Sequence, residues 1–335
     1  MLFVSLVIIL IAAELFVNAI EWLGKLLNLS EGAVGSVLAA VGTALPETLI
    51  PIIALLSGNT EGAKDIGIGA ILGAPLMLST LTMFVTGCAV IIFKNKRKHK
   101  DKVVVHYDTV SRDLKFFIFC FTVALICGFI PSEFRSVKVW LGALLVLSYF
   151  IYIIKIVKEN RESESDVPNL YFAFGYNDIM KNKYAIVLVL IQAAIALTLI
   201  IIGAEKFVDY ISFISKLFGV PAFVLAIIIT PIATELPEKF NSIIWISREK
   251  DTLALGNITG AMMFQASILP AIGILMTEWS LTSFGTILSS LIAICSAALL
   301  LTELNIKKHM TVKMLLACGL FYFLFIVLVI MGIIR

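Results

Sequence analysis

Two short stretches of this 335-residue chain decide its fold: "GTALPETLIPII" at residues 42–53 and "ATELPEKFNSII" at residues 233–244. Each stretch places a glutamate and a proline within an apolar segment. A proline removes a backbone N–H donor and clashes with the carbonyl four residues earlier, and a carboxylate inside a bilayer is costly. The combination predicts a membrane helix that is broken around a functional carboxylate.

The composition is that of a membrane protein. Hydrophobic residues make up 60% of the chain and charged residues 15%, and apolar runs of about 20 residues, enough to span a bilayer, recur throughout. We therefore predict an all-α polytopic membrane protein with ten transmembrane helices, of which helices 2 and 7 are broken mid-membrane. The predicted spans are 2–22, 33–57, 65–93, 114–131, 137–157, 184–208, 220–247, 251–275, 280–302 and 312–334.

Basic residues predict the orientation. Most of the 26 Lys and Arg residues lie in 94–113, which contains "KNKRKHKDK", and in 155–183, 248–250 and 307–313. The positive-inside rule places these segments in the cytoplasm and both termini outside it. The alternative, a lipid- or nucleic-acid-binding patch, is weaker because a topology signal already explains the run. Short loops and the lack of a targeting sequence predict the cell inner (plasma) membrane.

The chain also contains an internal repeat. "IAAELFVNAIEWLGKL" (11–26) matches "IGAEKFVDYISFISKL" (202–217), and the two glutamate stretches follow at the same spacing. Further on, "GAILGAPLML" (69–78) matches "GNITGAMMFQ" (256–265). Each copy holds five spans, so the second copy is inverted in the membrane. Inverted repeats with broken helices are typical of secondary transporters.

The repeat divides the chain into three predicted parts. Residues 1–157 form the first repeat, 158–183 a cytoplasmic linker, and 184–335 the second repeat. A duplicated scaffold that transports nothing is the alternative interpretation of this organisation.

Glu47 and Glu238 correspond across the repeat, and each lies about halfway along its predicted span. Hard divalent cations such as Ca²⁺ bind several oxygens, from carboxylates and from carbonyls, and helix breaks at proline supply the latter. Two such glutamates that converge would form a divalent cation site. The alternative is that each carboxyl group is protonated, or is satisfied locally by Thr43 or Thr234.

These motifs resemble those of the cation/Ca²⁺ exchanger superfamily, and of the sodium/calcium exchangers in particular. "GTALPE" and "ATELPE" are similar to that family's G-T-S-x-P-E, and the 69–78 and 256–265 stretches to its G-N-x-x-G-S-N-x-x-N. The resemblance implies ten helices, a central ion site, and alternating access by sliding of the first and sixth helices. It also implies antiport of Ca²⁺ against Na⁺ or H⁺. By the family pattern, Glu47 and Glu238 are the principal Ca²⁺ ligands, assisted by the carbonyls of Thr43 and Thr234.

Several positions depart from the family pattern. Most side-chain oxygens expected from the third and eighth spans are missing, and Asn257 and Gln265 remain. The second repeat gains Glu235 and Lys239. Lys239 pairs with Glu235, or occupies a former Na⁺ place as a built-in cation, or reaches toward an interface. These changes predict weaker dependence on Na⁺ and stronger dependence on pH than the resemblance implies.

Four other carboxylates have plainer interpretations. Asp65 and Asp251 begin predicted helices, where a negative charge favours the positive end of the helix dipole. Glu14 and Glu205 correspond across the repeat near helix ends, where an interfacial role and a gating role are equally compatible with the sequence.

The sequence also argues against several other functions. It contains no nucleotide-binding loop, catalytic triad or nucleic-acid surface, and its scattered cysteines and histidines suggest no metal centre. We therefore expect no enzyme activity and no cofactor. The expected partners are inorganic cations and the lipid bilayer, and the oligomeric state is left open. Alternatives are transport of another cation (Mn²⁺, Mg²⁺, or Na⁺ against H⁺) and a transport-inactive membrane scaffold.

Overall fold

The computed structural model describes residues 1–26, 44–56, 62–159, 169–173 and 185–334. Its helices are α1 (Leu2–Leu26), α2 (Leu45–Leu56), α3 (Ala63–Met77), α4 (Met83–Phe93), α5 (Tyr107–Phe129), α6 (Arg135–Glu159), α7 (Ala185–Phe218), α8 (Ala222–Ser247), α9 (Asp251–Met276), α10 (Phe284–Lys307) and α11 (Val312–Ile330). Two short strands, β1 (Lys102–Val103) and β2 (Met310–Thr311), pair antiparallel.

The described helices fit a membrane protein. Seven of them, counting Ala63–Lys96 as one, are long and apolar enough to cross a bilayer. Each of the ten predicted spans overlaps a described helix, but α2 is short, and charges interrupt α5 and α8. The mostly helical membrane fold is therefore confirmed, whereas ten crossings in two inverted repeats stay a prediction.

The seventh span is not broken, and that part of the prediction is wrong. Helix α8 runs without interruption through the positions of Pro231 and Pro237. A proline in a membrane helix is tolerated where neighbouring groups compensate for the missing backbone bond. The Ile227 carbonyl, which Pro231 deprives of its intrahelical donor, lies against Gly73 of α3, where no side chain keeps the two backbones apart.

In the second span, the described helix begins at Leu45, and Pro46 and Glu47 lie in its first turn. Proline suits this position because the first N–H groups of a helix have no intrahelical acceptor. The predicted break before this point falls on residues 27–43, outside the described residues.

The third span is interrupted between α3 and α4. Residues Leu78–Thr82 form a π-helical turn, which disturbs the regular ladder of backbone hydrogen bonds. The Ser296 hydroxyl of α10 donates to the Ser79 carbonyl in this turn at 2.6 Å. The interruption follows directly on the "GAILGAPLML" motif.

Glycines let α3 and α8 cross closely at the centre of the bundle. A Cβ atom at Gly69 would lie 2.7 Å from the Phe223 carbonyl oxygen, and one at Gly73 would collide with the Ile227 carbonyl. Small residues at such crossings are characteristic of helix packing in membranes. The crossing fixes α8 relative to α3.

Three segments meet at one end of the bundle, which we call the basic end: 94–106, 246–252 and 303–313. Arg97 is buried there, and its guanidinium binds both carboxylate oxygens of Asp251 at 2.8 and 2.7 Å. Its remaining hydrogen bonds go to the carbonyls of Ile246 and Lys102. The β1–β2 pair joins 94–106 to 303–313.

The basic end adds to two interpretations. Asp251 begins a helix, as predicted, and it also binds the buried guanidinium of Arg97. The basic run carries more than a topology signal, since Arg97 is a structural residue. On the surface nearby, the backbone N–H of His99 donates to Glu249 and lowers the pKa of that carboxyl.

The described part of the predicted linker packs on α1 and α7. Leu170 is buried beside Trp22. The Tyr171 and Phe172 N–H groups donate to the side chains of Asn18 and Gln192 at 3.2 and 2.9 Å. This segment is therefore fixed to the α1–α7 pair.

Candidate cation site

A carboxylate and a carboxamide meet inside the bundle. Glu47, in the first turn of α2, is 6% exposed, and Gln265, in the middle of α9, is fully buried. Gln265 Nε2 lies 3.4 Å from Glu47 Oε2. Of the predicted ligands, Glu47 and Gln265 have side chains in contact in the described structure.

Gln265 has acceptor capacity left over. Its Oε1 atom is buried and has no hydrogen-bond partner within the described part of the chain. A buried polar atom without a partner is rare and requires an explanation. A carbonyl-type oxygen beside a carboxylate is a suitable ligand for a hard cation.

Two predicted site residues lie on α8. Thr234 is buried, and its hydroxyl donates to the Thr230 carbonyl at 3.0 Å, so the oxygen retains lone pairs that can accept. Glu235, the next residue, is fully buried. A carboxyl group at this depth is costly unless its charge is compensated or it binds a proton.

The hydrogen bond that Asn257 makes is not to Glu47 or Gln265. It is half-buried on α9, and its Nδ2 atom donates to Ser242 Oγ of α8 at 3.3 Å. Asn257 therefore joins α8 to α9.

Three predicted site residues lie wholly or partly outside the described structure. Thr43 lies outside the described residues. Glu238 and Lys239 belong to α8, but their side chains are not among those described. The convergence of Glu238 on Glu47, and the three interpretations of Lys239, stay predictions. Within the described ranges, no three carboxylate, imidazole or thiol side chains come together as a metal site.

The first "PE" stretch and the "GNITGAMMFQ" stretch thus lie on helices that pack together, with the side chains of Glu47 and Gln265 in contact. The family model described as "Sodium/calcium exchanger protein" matches residues 1–158 and 188–331. The chain belongs to this exchanger family. The resemblance carried by the motifs is thereby confirmed, and the exchanger family is one of membrane transporters.

Similar proteins agree with the exchanger family. The putative antiporter CaxA of Alkalimonas amylolytica is 22% identical over 316 residues, which are 94% of this chain and 92% of that protein. The H⁺/Ca²⁺ exchanger CAX superposes with a TM-score of 0.70 at 19% identity, over 97% of this chain and 80% of CAX. The sodium–calcium exchanger NCX_Mj gives 0.58 at 20% identity, over 96% and 95%. At these identities, the two structures show a common fold.

The buried carboxylate of Asp113 was not predicted from the sequence. Asp113, on α5, is 2% exposed and accepts hydrogen bonds from Tyr152 and Thr259 at 2.8 Å each. It lies in "SRDLK", where charges at the end of a predicted span look like an ordinary membrane boundary. The sequence gives no signal that separates Asp113 from its charged neighbours.

Proposed function

We propose that this chain is a secondary active cation antiporter that exchanges Ca²⁺ for Na⁺ or H⁺ by alternating access. The observation that carries the proposal is the buried contact between Glu47 and Gln265, with the Gln265 Oε1 atom left to accept. Membership of the exchanger family supports antiport in general, and these residues supply the chemistry for a divalent ion.

The proposed site is built from both repeats. Glu47 and Glu238 provide the charge for a divalent cation, and Gln265 and Thr234 provide neutral oxygens, with Thr43, Glu235 and Asn257 as further candidates. In the proposed architecture, ten helices form two inverted repeats, 1–157 and 184–335, joined by the linker 158–183. Both termini face away from the cytoplasm, and the membrane is the cell inner (plasma) membrane.

The residues favour H⁺ over Na⁺ as the coupled ion. Ala74 and Ala261 replace hydroxyl-bearing residues of the family pattern, so Na⁺ would find few side-chain ligands. Glu235 is fully buried on α8, four residues before Lys239. A buried carboxyl group beside Glu238, with a lysine four residues later in the sequence, offers a way to exchange a proton. CAX is named an H⁺/Ca²⁺ exchanger and NCX_Mj a sodium–calcium exchanger, so both couplings are named among proteins of this fold.

Flux from proteoliposomes of purified protein tests the proposal. Ca²⁺ efflux is measured against an Na⁺ gradient and, separately, against a pH gradient, with Mn²⁺ and Mg²⁺ in parallel. We expect Ca²⁺ efflux that follows the pH gradient. Glu47→Gln and Glu238→Gln should each nearly abolish it, because each removes half of the paired carboxylate charge, while Glu133→Gln, at an exposed position, should not.

Each outcome separates the candidates. Strong Na⁺ coupling with a flat pH profile, unchanged in Lys239→Ala, would refute proton coupling. Flux of another cation alone would replace Ca²⁺ as the transported ion. Normal flux in both glutamine variants would show that the proposed ion site is wrong. If the wild-type protein moves no cation, the result would favour the transport-inactive scaffold.

A further inference from the structure

Helix α9 is held on two opposite sides within a short stretch. On one side, Asn257 donates to Ser242 of α8 at 3.3 Å. On the other, the Thr259 hydroxyl donates to Asp113 Oδ2 of α5 at 2.8 Å. Each residue turns an α-helix by roughly 100°, so Asn257 and Thr259, two residues apart, point about 200° away from each other. The two hydrogen bonds therefore hold opposite faces of α9.

Asp113 is the centre of a buried polar cluster. Its other oxygen, Oδ1, accepts from the Tyr152 hydroxyl of α6 at 2.8 Å and lies 3.7 Å from Arg112 Nε. The Arg112 guanidinium also lies over the Tyr152 ring, 5.5 Å from its centroid. Thr259 is fully buried. Three helices, α5, α6 and α9, therefore meet at one carboxylate.

Stability alone does not explain a carboxylate at this place. Replacing a buried ionic cluster by apolar residues of similar volume is often neutral or stabilising, whereas such clusters can specify a unique arrangement of the elements that they join. Here the specified element is α9, and it carries Gln265. Gln265 lies six residues beyond Thr259, which is about 9 Å along the helix axis, and it faces Glu47 across the bundle.

We propose that Asp113 is a positioning residue for ion binding: through Thr259 it fixes the rotation and depth of α9, and thereby the placement of the Gln265 oxygen relative to Glu47. This inference rests on the proposed antiport function, because its main readout is the apparent affinity for the transported cation. Asp113 itself touches no transported ion in this proposal.

Thr259 offers the sharpest test, because single atoms can be removed or restored. Thr259→Val keeps the shape and loses the hydroxyl, Thr259→Ser keeps the hydroxyl, and Asp113→Asn keeps only one acceptor oxygen. Thr302→Val is the control for the substitution itself, since the exposed Thr302 hydroxyl donates within its own helix, to the Ala298 carbonyl. The KM for the divalent cation and the maximal flux are measured in proteoliposomes. The maximal flux is divided by the amount of folded protein in each preparation.

We expect Thr259→Val and Asp113→Asn each to raise the divalent KM roughly three- to tenfold, which corresponds to the net contribution of about one hydrogen bond. Thr259→Ser should return it to within about twofold of wild type, and Thr302→Val should leave it unchanged. Because both variants act on the same hydrogen bond, which Asp113→Asn weakens and Thr259→Val removes, the double variant should raise KM little more than Thr259→Val alone. A wild-type KM in Thr259→Val and Asp113→Asn, with only a lower melting temperature, would reduce Asp113 to a structural residue.

Hydrogen exchange keeps this inference separable from the proposed function. If the wild-type protein moves no cation, the antiport proposal fails, and the positioning role is decided by amide exchange in detergent. Faster exchange in α9 near Asn257 in Thr259→Val, with α11 unchanged and with no effect of Thr302→Val, supports the role. Equal exchange in all variants overturns it.

Discussion

At the scale of single residues, the proposed site depends on the buried amide oxygen of Gln265. Gln265 is fully buried between apolar neighbours of α9, and one of its two polar atoms contacts Glu47 while the other has no partner in the described structure. A buried amide with half of its hydrogen-bonding capacity unused costs stability. Such a cost is understandable at a position that receives a ligand.

Gln265→Leu tests this assignment. Leucine has nearly the same volume, so the helix packing should survive, but the ligand oxygen is lost. We expect the divalent KM to rise by about tenfold, equivalent to about 1.4 kcal/mol. The measurement is Ca²⁺ flux against concentration in proteoliposomes.

Ser267→Ala is the control for Gln265→Leu. The Ser267 hydroxyl is also buried on α9, but it donates to the Met263 carbonyl of its own helix. An equal rise in KM for both variants would mean that any lost polar group on α9 weakens transport, and the specific role of Gln265 would fall.

The sequence was informative for residues that lie in the duplicated motifs and uninformative for single charged residues outside them. Glu47 and Gln265 could be predicted because a duplicated motif singles them out. Arg97 and Asp113 could not, because their partners, Asp251 and Thr259, are far along the chain and only folding brings them together. A charge near the end of an apolar run looks the same whether it is buried or solvated.

At the scale of elements, the continuity of α8 is the main difference from expectation. Two prolines predicted a broken helix, yet α8 spans Ala222–Ser247. A sequence shows which carbonyl a proline leaves without its donor, but it does not show what lies opposite. Here a glycine of α3 lies opposite the Ile227 carbonyl, so the two backbones approach each other closely at that point.

Gly73→Ala should therefore be disruptive. A methyl group at Gly73 would collide with the Ile227 backbone, which yields less readily than a side chain. Overpacking costs about 1–3 kcal/mol or more, so we expect a clear fall in melting temperature and in maximal flux. Thermal unfolding in detergent measures the first effect.

Gly87→Ala is the matched variant for the glycine prediction. A Cβ atom at Gly87 would meet side-chain atoms of Leu315 and Leu316 at 3.1 to 3.3 Å, and these can shift slightly. A fall in melting temperature as large as that of Gly73→Ala would show that close backbone approach is not the decisive factor.

The basic end gives a second prediction at this scale. Asp251→Asn leaves the buried Arg97 without its carboxylate, and breaking a buried ion pair on one side costs about 3–5 kcal/mol. We expect a large fall in the detergent melting temperature. Glu249→Gln, at the partly exposed pair with His99, should have little effect because ion pairs at the surface contribute only about 0–1 kcal/mol.

A partial rescue makes this second test stricter. The double variant Arg97→Met with Asp251→Leu removes both charges and should recover much of the stability lost in Asp251→Asn. If Asp251→Asn and Glu249→Gln unfold at the same temperature, the pair does not hold the basic end together.

At the scale of the whole molecule, three segments that the basic residues assigned to one side do lie at one end of the bundle. The β1–β2 pair and the Arg97–Asp251 pair connect them. Which side of the membrane this end faces stays a prediction of the positive-inside rule.

Cysteine labelling from outside tests the orientation. In a background without the five native cysteines, a membrane-impermeant maleimide should label Glu278→Cys in intact cells and should label Lys100→Cys only after permeabilisation. Both positions are exposed, so access to solvent does not differ between them. The reverse labelling pattern would show that the chain has the opposite orientation in the membrane.

The ion pair at the basic end also has a consequence for biosynthesis. Asp251 lies 154 residues after Arg97, and at a synthesis rate of about 5–20 residues per second the arginine waits on the order of ten to thirty seconds for its partner. During that interval its guanidinium has to stay hydrated, because burial without a counter-charge is unfavourable. The ion pair can therefore form only after Asp251 has been synthesised, which makes its formation a late step of assembly.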